Sequence, residues 1–549
     1  MPDPLKDISR LTRMLIRLPV EARAFATLVS AGMVGPERPD RLFAMYQALD
    51  RYGVMGAAVT LAAIRNGDRA ALVDELGSLT YEQMDRRSNA LANALRARGV
   101  GPGSGVGILC RNHRGAYDAS YAVLKLGGRA LYLNTDFSAP QASEVCAREG
   151  VEALIYDEEF APVTSKVKAP RGRFVAWTDD PAKAAGDGPT IESLIGAGNP
   201  EPPPAPDKQG NVIILTSGTT GTPKGANRGQ PTSLVAASAI LSKIPFRSRE
   251  ATFIASPVYH AWGLGISVLT LGLGSTIVVR RRFDPEATVV ALVEHRCTGL
   301  TLVPVILNRL LTGAAEKIAS SDLSSLRIIA SSGAQLSAPL ATRAMDTFGD
   351  IVYNLYGSTE VAWATIATPE DLRAAPGCAG KPPLGTTVRL YDDGGRPTPP
   401  GETGRIFVGS GMEFGGYTGG GTKDVIDGLM STGDVGHFDQ DGRLFVDGRD
   451  DEMIVSGGEN VFPREVEELL LAHEAIADVA AIGVEDEEFG QRLKAFVVVE
   501  AGFSIDEQAV KDHVRSNLAR YKVPRDVVFV EDLPRNPSGK VLKRELARH

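Results

Sequence analysis

Apolar runs separated by polar, turn-forming stretches dominate the chain from about Ala70 onward. Four short runs predict buried strands at residues 211–217, 275–281, 298–305 and 326–332. Segments with helical signals lie between these runs. Apolar strands that alternate with helices are typical of βαβ units and largely parallel sheets, so the pattern predicts an α/β fold.

Helix start signals support this division into elements. Thr80 is followed three residues later by Gln83, which predicts a capping box. Asp284 stands directly before Pro285, a pair typical of an N-cap and a first helical turn. Ser337 is the predicted cap of a third helix.

The pattern changes near Arg449. Helices are predicted at residues 463–473 and 506–519, with a strand at 494–500 between them. These elements can form a small α+β domain of their own. We therefore divide the chain into an N-terminal extension (1–65), a large domain (66–449) and a C-terminal domain (450–549).

The N-terminal extension contains an apolar stripe at helical spacing, made by Leu11, Met14, Leu15 and Leu18. Arginines accompany the stripe at positions 10, 13 and 17. Two interpretations remain open, a helix that lies on a membrane surface and a helix that packs on the main body of the protein.

Composition narrows the class of protein. The 549 residues are 43% hydrophobic and 23% charged, and the net charge of −8 argues against nucleic acid as a partner. The four cysteines lie far apart, which favours free, buried thiols in a reducing cytoplasm. We see no signal peptide at the N-terminus, and the apolar run 53–64 is too short to span a bilayer.

The loop TSGTTGTPKG directly follows the predicted strand 211–217. Its backbone N–H groups, hydroxyls and one ammonium suit a polyphosphate. The order Pro-Lys-Gly excludes a Walker A motif, which needs Gly-Lys-Ser/Thr. The residues expected to contact phosphate are Thr216, Ser217, Gly218, Thr219, Thr220, Gly221 and Lys224.

This loop resembles the signature of the adenylate-forming superfamily, which includes acyl-CoA synthetases, adenylation domains of peptide synthetases and firefly luciferase. Further motifs of that family follow in order, namely SSGAQLS (331–337), YNLYGSTE (353–360), STGDVG (431–436), the segment 448–467 and NPSGKVLKREL (536–546). The resemblance begins at about Arg65 and reaches the C-terminus. It implies ATP, Mg²⁺ and coenzyme A as cofactor and cosubstrates, and a carboxylic acid as substrate.

The resemblance also implies roles for single residues. Glu360 would hold magnesium and Thr359 would contact phosphate. Lys540 would bridge the acyl and phosphate oxygens as the mixed anhydride forms. The adenine site would comprise Gly333, Ala334, Gln335, Asn354, Tyr356 and Gly357, and the ribose site Asp434 and Arg449.

For the second half-reaction, the resemblance implies that the small domain swings about Asp451. The swing would bring Gly457 and Gly458 to the active site, where glycines let a pantetheine arm pass close to the backbone.

The segment 256–265 resembles the lining of the acyl pocket. Tyr259, His260 and Trp262 belong to it, with His260 beside the reacting carboxylate and Trp262 as a gate. Amino-acid-activating relatives place an Asp there, and its absence from this segment favours a plain carboxylic acid, which we predict to be a fatty acid.

The leading interpretation is an AMP-forming acyl-CoA synthetase of lipid metabolism. Two alternatives are a fatty acyl-AMP ligase that delivers to a carrier protein and a catalytically silent acyl or nucleotide binder. Acyl-AMP ligases carry an insertion that we do not find between Phe407 and Arg449. The sequence leaves the acyl length and class, the oligomeric state and the pathway open.

Overall fold

The computed structural model describes residues 18–180, 188–215, 224–228, 233–412, 414–450, 454–456, 459–486, 490–536 and 539–548. Within these residues the fold is mixed α/β, with a large sheet-built body and a smaller C-terminal domain, as the sequence predicts.

The first sheet has eight strands, and its central pairs are parallel. One antiparallel strand closes each edge. In spatial order the strands are Thr365–Ala367, Val352–Tyr356, Ile328–Ser331, Gly299–Leu302, Ala251–Ile254, Thr276–Val278, Ala70–Asp74 and Gly77–Thr80.

The second sheet has seven strands, of which five form a parallel set. Two antiparallel strands extend it at one edge. In spatial order the strands are Phe414–Tyr417, Gly225–Arg228, Asn211–Leu215, Arg129–Tyr132, Gly105–Leu109, Val151–Asp157 and Arg173–Trp177.

Helices cover both sheets, and the largest apolar core lies between the sheets. The helix Arg114–Lys125 is buried along its whole length there. The other helices of the large body are Tyr81–Arg96, Ala139–Arg148, Ala161–Thr164, Ile191–Ala197, Val235–Leu241, Ala261–Gly272, Pro285–Glu294, Pro304–Gly313, Ala315–Ala319, Ala338–Phe348 and Pro369–Ala374. All four cysteines are buried and free, as the sequence predicts.

A third sheet joins the large body to the small domain. Its five strands pair antiparallel and are Thr387–Tyr391, Gly404–Gly409, Leu429–Phe438, Val425–Ile426 and Leu444–Arg449. The prediction of largely parallel sheets therefore holds for the first two sheets and is wrong for this one.

The C-terminal domain has its own sheet and its own core. Its strands are Glu459–Val461, Ile454–Ser456, Gly490–Val499, Ile476–Asp486 and Asp526–Phe529, and its helices are Pro463–Leu471, Glu507–Asn517 and Lys543–Leu546. The two helices and the strand predicted in this region are confirmed, although the strand begins at Gly490, four residues earlier than expected.

The capping predictions are confirmed in detail. Thr80 and Gln83 form both hydrogen bonds of a capping box. The side chains of Asp284 and Ser337 each accept a backbone N–H of the helix that they precede. Two strand predictions are too long. The strand predicted at 298–305 ends at Leu302, because Pro304 starts the helix Pro304–Gly313, and the strand predicted at 275–281 is only Thr276–Val278.

Two helices precede the first sheet. The first covers residues 18–30 and the second is Pro39–Asn66, which bends at Gly53 (φ 69°). Leu28 and Val59 belong to the main core, so both helices pack on the body of the protein. Leu18 is 55% exposed, and the other three residues of the predicted stripe lie outside the described residues. No helix among the described residues has the length and apolar character needed to cross a bilayer.

Candidate functional site

Two loops of the site leave the carboxyl ends of neighbouring parallel strands, Ile328–Ser331 and Val352–Tyr356. Ligands of open α/β sheets bind at this edge. Gly333 has a φ of +88°, a conformation that favours glycine. At Gly357 a Cβ atom would lie 2.2 Å from the carbonyl oxygen of Ala362, so only glycine fits. Both glycines thus shape the edge of a ligand site.

The predicted ribose residues, Asp434 and Arg449, form an ion pair, to which Tyr356 is added by a hydrogen bond. Asp434 and Arg449 are partners on adjacent strands, and their side chains approach to 3.6 Å. The Tyr356 hydroxyl donates to Asp434 Oδ2 at 2.6 Å. Burial raises the pKa of Asp434, while the charge of Arg449, the Tyr356 hydrogen bond and the more distant charge of Lys540 act in the opposite direction. Each carboxylate oxygen has two lone pairs, so Asp434 can still accept from hydroxyls of a ligand.

The residues predicted to bind adenine line the same cleft, with Ala334, Gln335 and Asn354 along its wall. Thr359, which is predicted to contact phosphate, lines it as well. The Asn354 Oδ1 atom is buried and has no hydrogen-bond partner among the described residues. A buried acceptor beside a cleft is suited to the amino group of a ligand. Gln335 donates to Glu468, which ties this wall to the C-terminal domain.

Glu360, the predicted magnesium carboxylate, is 8% exposed. Its Oε1 atom accepts a 2.6 Å hydrogen bond from the Tyr417 hydroxyl. Burial, followed by the hydrogen bond to Glu360, raises the pKa of Tyr417. The Lys224 ammonium lies 5.5 Å from the centre of the Tyr417 ring. Tyr417 therefore lies next to both the Lys224 ammonium of the predicted phosphate loop and the Glu360 carboxylate.

Two hydrogen bonds hold the backbone of the Lys540 loop at Gly539 and Lys540. Asn536 Oδ1 accepts the backbone N–H of Lys540 at 2.8 Å, and Arg535 donates to the carbonyl of Gly539 at 2.6 Å. A Cβ atom at Gly539 would lie 2.6 Å from Val305 of the large domain. The loop therefore lies directly against the large domain, at the wall of the cleft that Asp434 also lines.

His260 stands at the start of the helix Ala261–Gly272. Its Nε2 atom is buried without a hydrogen-bond partner among the described residues, and burial lowers its pKa to about 4. The ring is therefore neutral at pH 7. The ring of Tyr259 lies 4.6 Å away, and its hydroxyl is 3.0 Å from Thr135 Oγ1. Trp262 is buried and its indole Nε1 also lacks a partner among the described residues.

One continuous cavity of about 2830 Å³ connects these groups. It reaches from Lys540 and Asp434 past His260 to the N-terminal helices. Of the predicted site residues in the described part of the chain, its lining includes Lys224, His260, Trp262, Gly333, Ala334, Gln335, Asn354, Tyr356, Gly357, Thr359, Glu360, Asp434, Arg449 and Lys540. Tyr259 lies behind His260, outside this lining.

Other predicted residues lie outside the described part of the chain. They are Thr216, Ser217, Gly218, Thr219, Thr220, Gly221, the predicted hinge Asp451, and Gly457 with Gly458. Their roles stay predictions.

Three residues of the site were missed by the sequence analysis. Besides Tyr417, these are Lys423 and Arg464, which both line the cavity. The Lys423 ammonium lies beside Gly433, next to Asp434 in the chain, and the charge of Arg464 acts on Asp434. Lys423 and Tyr417 belong to a Gly-rich stretch without a recognisable pattern. Arg464 opens a predicted helix, where a basic residue has no special signal.

A second cluster, Cys110, His113 and Asp157, has the atoms of a metal site but is built as a structural contact. His113 Nδ1 accepts the N–H of Gly115, so Nε2 carries the proton and donates to Asp157 at 2.7 Å. The second Asp157 oxygen accepts the N–H of Arg111. The histidine thus has no lone pair left for a metal.

Comparison with known proteins agrees with this geometry. The family model described as AMP-binding enzyme matches residues 60–418, and the model of the AMP-binding enzyme C-terminal domain matches residues 465–540. A feruloyl-CoA synthase of Amycolatopsis sp is 36% identical over 493 residues, which cover 88% of this chain and 95% of that protein.

A fatty acid–[acyl-carrier-protein] ligase, ScoC of Streptomyces coeruleorubidus, is 29% identical over 87% of this chain and 92% of its own. Among solved structures, ATP-bound MatB from Rhodopseudomonas palustris superposes with a TM-score of 0.78 at 27% identity, covering 90% of this chain and 98% of MatB.

Proposed function

From the premise that the chain belongs to the AMP-binding enzyme family, we propose that it is a CoA ligase that activates an apolar carboxylic acid, first as an acyl adenylate. The observation that carries this proposal is the continuity of one cavity between the Tyr356–Asp434–Arg449 group and the apolar space beyond His260. A nucleotide and an acid can therefore meet inside it.

In the first half-reaction a carboxylate oxygen attacks the α-phosphorus of ATP. A new C–O–P linkage forms, and the bond to pyrophosphate breaks. Lys540 stands at the wall of the cleft and supplies positive charge to the crowded oxygens. The neutral ring of His260 borders the acid and leaves its carboxylate ionised and nucleophilic.

In the second half-reaction the thiol of coenzyme A attacks the acyl carbonyl. A thioester bond forms, the C–O bond to AMP breaks, and AMP leaves with the electron pair. We propose that the C-terminal domain turns about Asp451 between the two steps, bringing Gly457 and Gly458 to the acyl group.

ATP binding is assigned to the polar half of the cavity. The Asp434 carboxylate accepts from ribose hydroxyls, Tyr356 borders the base, and Asn354 Oδ1 accepts from its amino group. We place the phosphates near Lys224 and Thr359, which line the same cavity.

Glu360 fits a magnesium ion. A hard cation bound through one carboxylate plus substrate phosphates is the usual Mg²⁺ arrangement, and Tyr417 holds Oε1 of Glu360 in a fixed direction. When bound, Mg²⁺ supplies neutralisation of phosphate charge.

The apolar half of the cavity favours a fatty acid over a polar one. Leu264, Val268 and Leu269 line it on one side, and no carboxylate occurs in the segment 256–265 that could hold an amino group. The names of the relatives given above refer to an aromatic acid and to a fatty acid. The comparisons therefore do not decide between these two classes, and the choice of a fatty acid is our proposal.

Delivery to a carrier protein is the second candidate. ScoC, whose name gives that activity, supports it. The absence of an insertion between Phe407 and Arg449 favours coenzyme A. Thioester formation with free coenzyme A separates the two candidates.

Contact with a lipid surface is a further part of the proposal. The N-terminal helices expose large apolar side chains on their outer faces, namely Leu18, Phe25, Val29, Leu42, Phe43, Tyr46, Leu49 and Val54. Leu49 and Val54 also line the cavity, so the exposed face continues into it. A lipid surface is where an apolar acid accumulates.

The test is Lys540→Ala in separate half-reactions. We expect adenylate formation to fall by 10²-fold or more, as removal of one charge-stabilising group does, while thioester formation from supplied acyl-AMP persists. Lys511→Ala is the control, since Lys511 pairs with Glu507 on a C-terminal helix away from the cavity. Equal loss of both steps in the Lys540 variant would refute the assigned role.

A further inference from the structure

The far end of the cavity is made by a part of the chain that the matched AMP-binding enzyme region, residues 60–418, largely leaves out. Beyond His260 the walls come from the helices 18–30 and Pro39–Asn66 and from the turn between them. The apolar residues that this segment contributes are Leu28, Met33, Val34, Met45, Leu49, Val54, Met55, Ala58, Leu61 and Ala62. Its two charged lining residues are both paired, Glu21 with the Ser233 hydroxyl and Arg65 with Glu37 and the carbonyl of Met33. Because the rest of this wall is apolar, the space is suited to hydrocarbon.

The opposite wall is the helix Ala261–Gly272, which turns two glycines toward the same space. Gly265 lines the cavity, and a Cβ atom there would meet nothing within 4 Å. Gly272 also lines it, and a Cβ atom there would lie 3.1 Å from the terminal methyl of Met33. At about 1.5 Å per residue, the two glycines are about 10 Å apart along the helix. Gly265 is the nearer one to His260.

The turn that carries Met33 is tied to the second N-terminal helix on one side and to the body of the protein on the other. Arg65 donates to the carbonyl of Met33 at 2.5 Å and to Glu37 at 2.7 Å. The backbone N–H of Ser248 donates to the carbonyl of Ala31 at 2.8 Å. Met33 therefore faces Gly272 from a turn that is held at both ends.

We infer that the segment 18–66 closes the acid-binding space and sets the length of the apolar acid that the enzyme activates, with Met33 opposite Gly272 as the end of that space. This inference rests on the proposed ligase activity. Acids that reach past Gly265 but end before Gly272 are accepted without contact to Met33. For longer acids, the Met33 side chain at the end of the space limits binding.

The experiment measures acid-dependent AMP release over a series of straight-chain acids, from butanoate to hexadecanoate, in the full-length protein. Gly265→Leu puts a side chain near the reacting end, and Gly272→Leu puts one at the far end. Leucine is a better helix former than glycine, so both variants are expected to fold. Gly196→Leu is the control, because Gly196 is a helical glycine with open space around it and lies outside the cavity lining.

We expect Gly265→Leu to lower kcat/KM at least tenfold for medium and long acids alike. Gly272→Leu should do so only for the longest acids that wild type accepts, and Met33→Ala should extend acceptance to still longer ones. The control should keep the wild-type profile. An active wild type whose length profile is the same in all variants overturns the inference. A wild type that releases AMP with none of the acids refutes the ligase proposal itself, which is a different result.

Discussion

Tyr417 shows what a single residue contributes when distant segments meet. Its hydroxyl bonds the carboxylate of Glu360, and its ring borders Lys224. Nothing in the local sequence marks this tyrosine, because its partners lie 57 residues away or more. The pairing of Phe414–Tyr417 with Gly225–Arg228 brings Tyr417 next to Lys224.

We predict that Tyr417→Phe raises the Mg²⁺ concentration needed for half-maximal activity. One lost hydrogen bond is worth about 1 kcal/mol, which corresponds to roughly fivefold. The control is Tyr391→Phe, which removes a similar 2.8 Å hydrogen bond to Asp427 in the third sheet. An equal Mg²⁺ requirement in both variants would argue against a role for Tyr417 in holding Glu360.

His260 gives a prediction about stability and pH. Burial lowers its pKa from 6.5 to about 4, so between these values the unfolded chain binds more protons at this residue than the folded one does. His260 therefore destabilises the fold progressively as the pH falls from 6.5 to about 4.

Denaturant unfolding of wild type and His260→Gln at several pH values within this window measures the effect. The variant should lose less free energy of unfolding on acidification than wild type loses. His295→Gln, outside the cavity lining, is the control. The same loss in His260→Gln and wild type would contradict a buried, neutral His260.

Helix starts could be predicted from the sequence where contacts between neighbouring residues determine them. Caps at Thr80, Asp284 and Ser337 are side-chain to backbone contacts within three residues, and all three are confirmed. The antiparallel third sheet was not predictable in this way, because strand direction depends on long-range pairing. The strand predicted at 298–305 is too long, because the apolar run continues into a helix that starts at Pro304 and hydrophobicity alone does not mark the boundary.

The residues of the site also fall into those that the sequence could predict and those that it could not. Glu360, Asp434 and Lys540 could be found because each belongs to a short motif, and the structure brings Glu360, Asp434 and Lys540 to one cavity. Met33 belongs to no motif and lies in a turn before the matched family region begins. The position of Met33 depends on its packing against the helix Ala261–Gly272, more than 200 residues later in the chain. The sequence pattern could therefore not indicate that Met33 lines the cavity.

The paired N-terminal helices carry a prediction at the scale of elements. Replacing Phe43 and Tyr46 together by Ser should lower binding to phosphatidylcholine vesicles, since these side chains are 63% and 66% exposed. Phe503→Ser is the control, because Phe503 is 47% exposed on the C-terminal domain. Co-sedimentation reports the bound fraction. An unchanged bound fraction of the double variant would contradict the proposed contact with a lipid surface.

The whole molecule is built around one cleft shared by three parts. The large domain supplies Tyr356, Asp434 and Arg449, and the C-terminal domain supplies Lys540. The N-terminal helices close the apolar end. Under the proposed function, this arrangement would hold the reacting carboxylate, the nucleotide and the hydrocarbon tail in separate surroundings within one space, as activation of an apolar acid requires.

The most direct measurement of the central claim is AMP release with a series of carboxylic acids, aromatic and straight-chain, each with and without coenzyme A. We predict ATP-dependent AMP formation that needs an apolar acid and yields the CoA thioester when coenzyme A is present. Acyl adenylate that accumulates without thioester would point instead to transfer to a carrier protein. An absence of turnover with every acid would contradict the account.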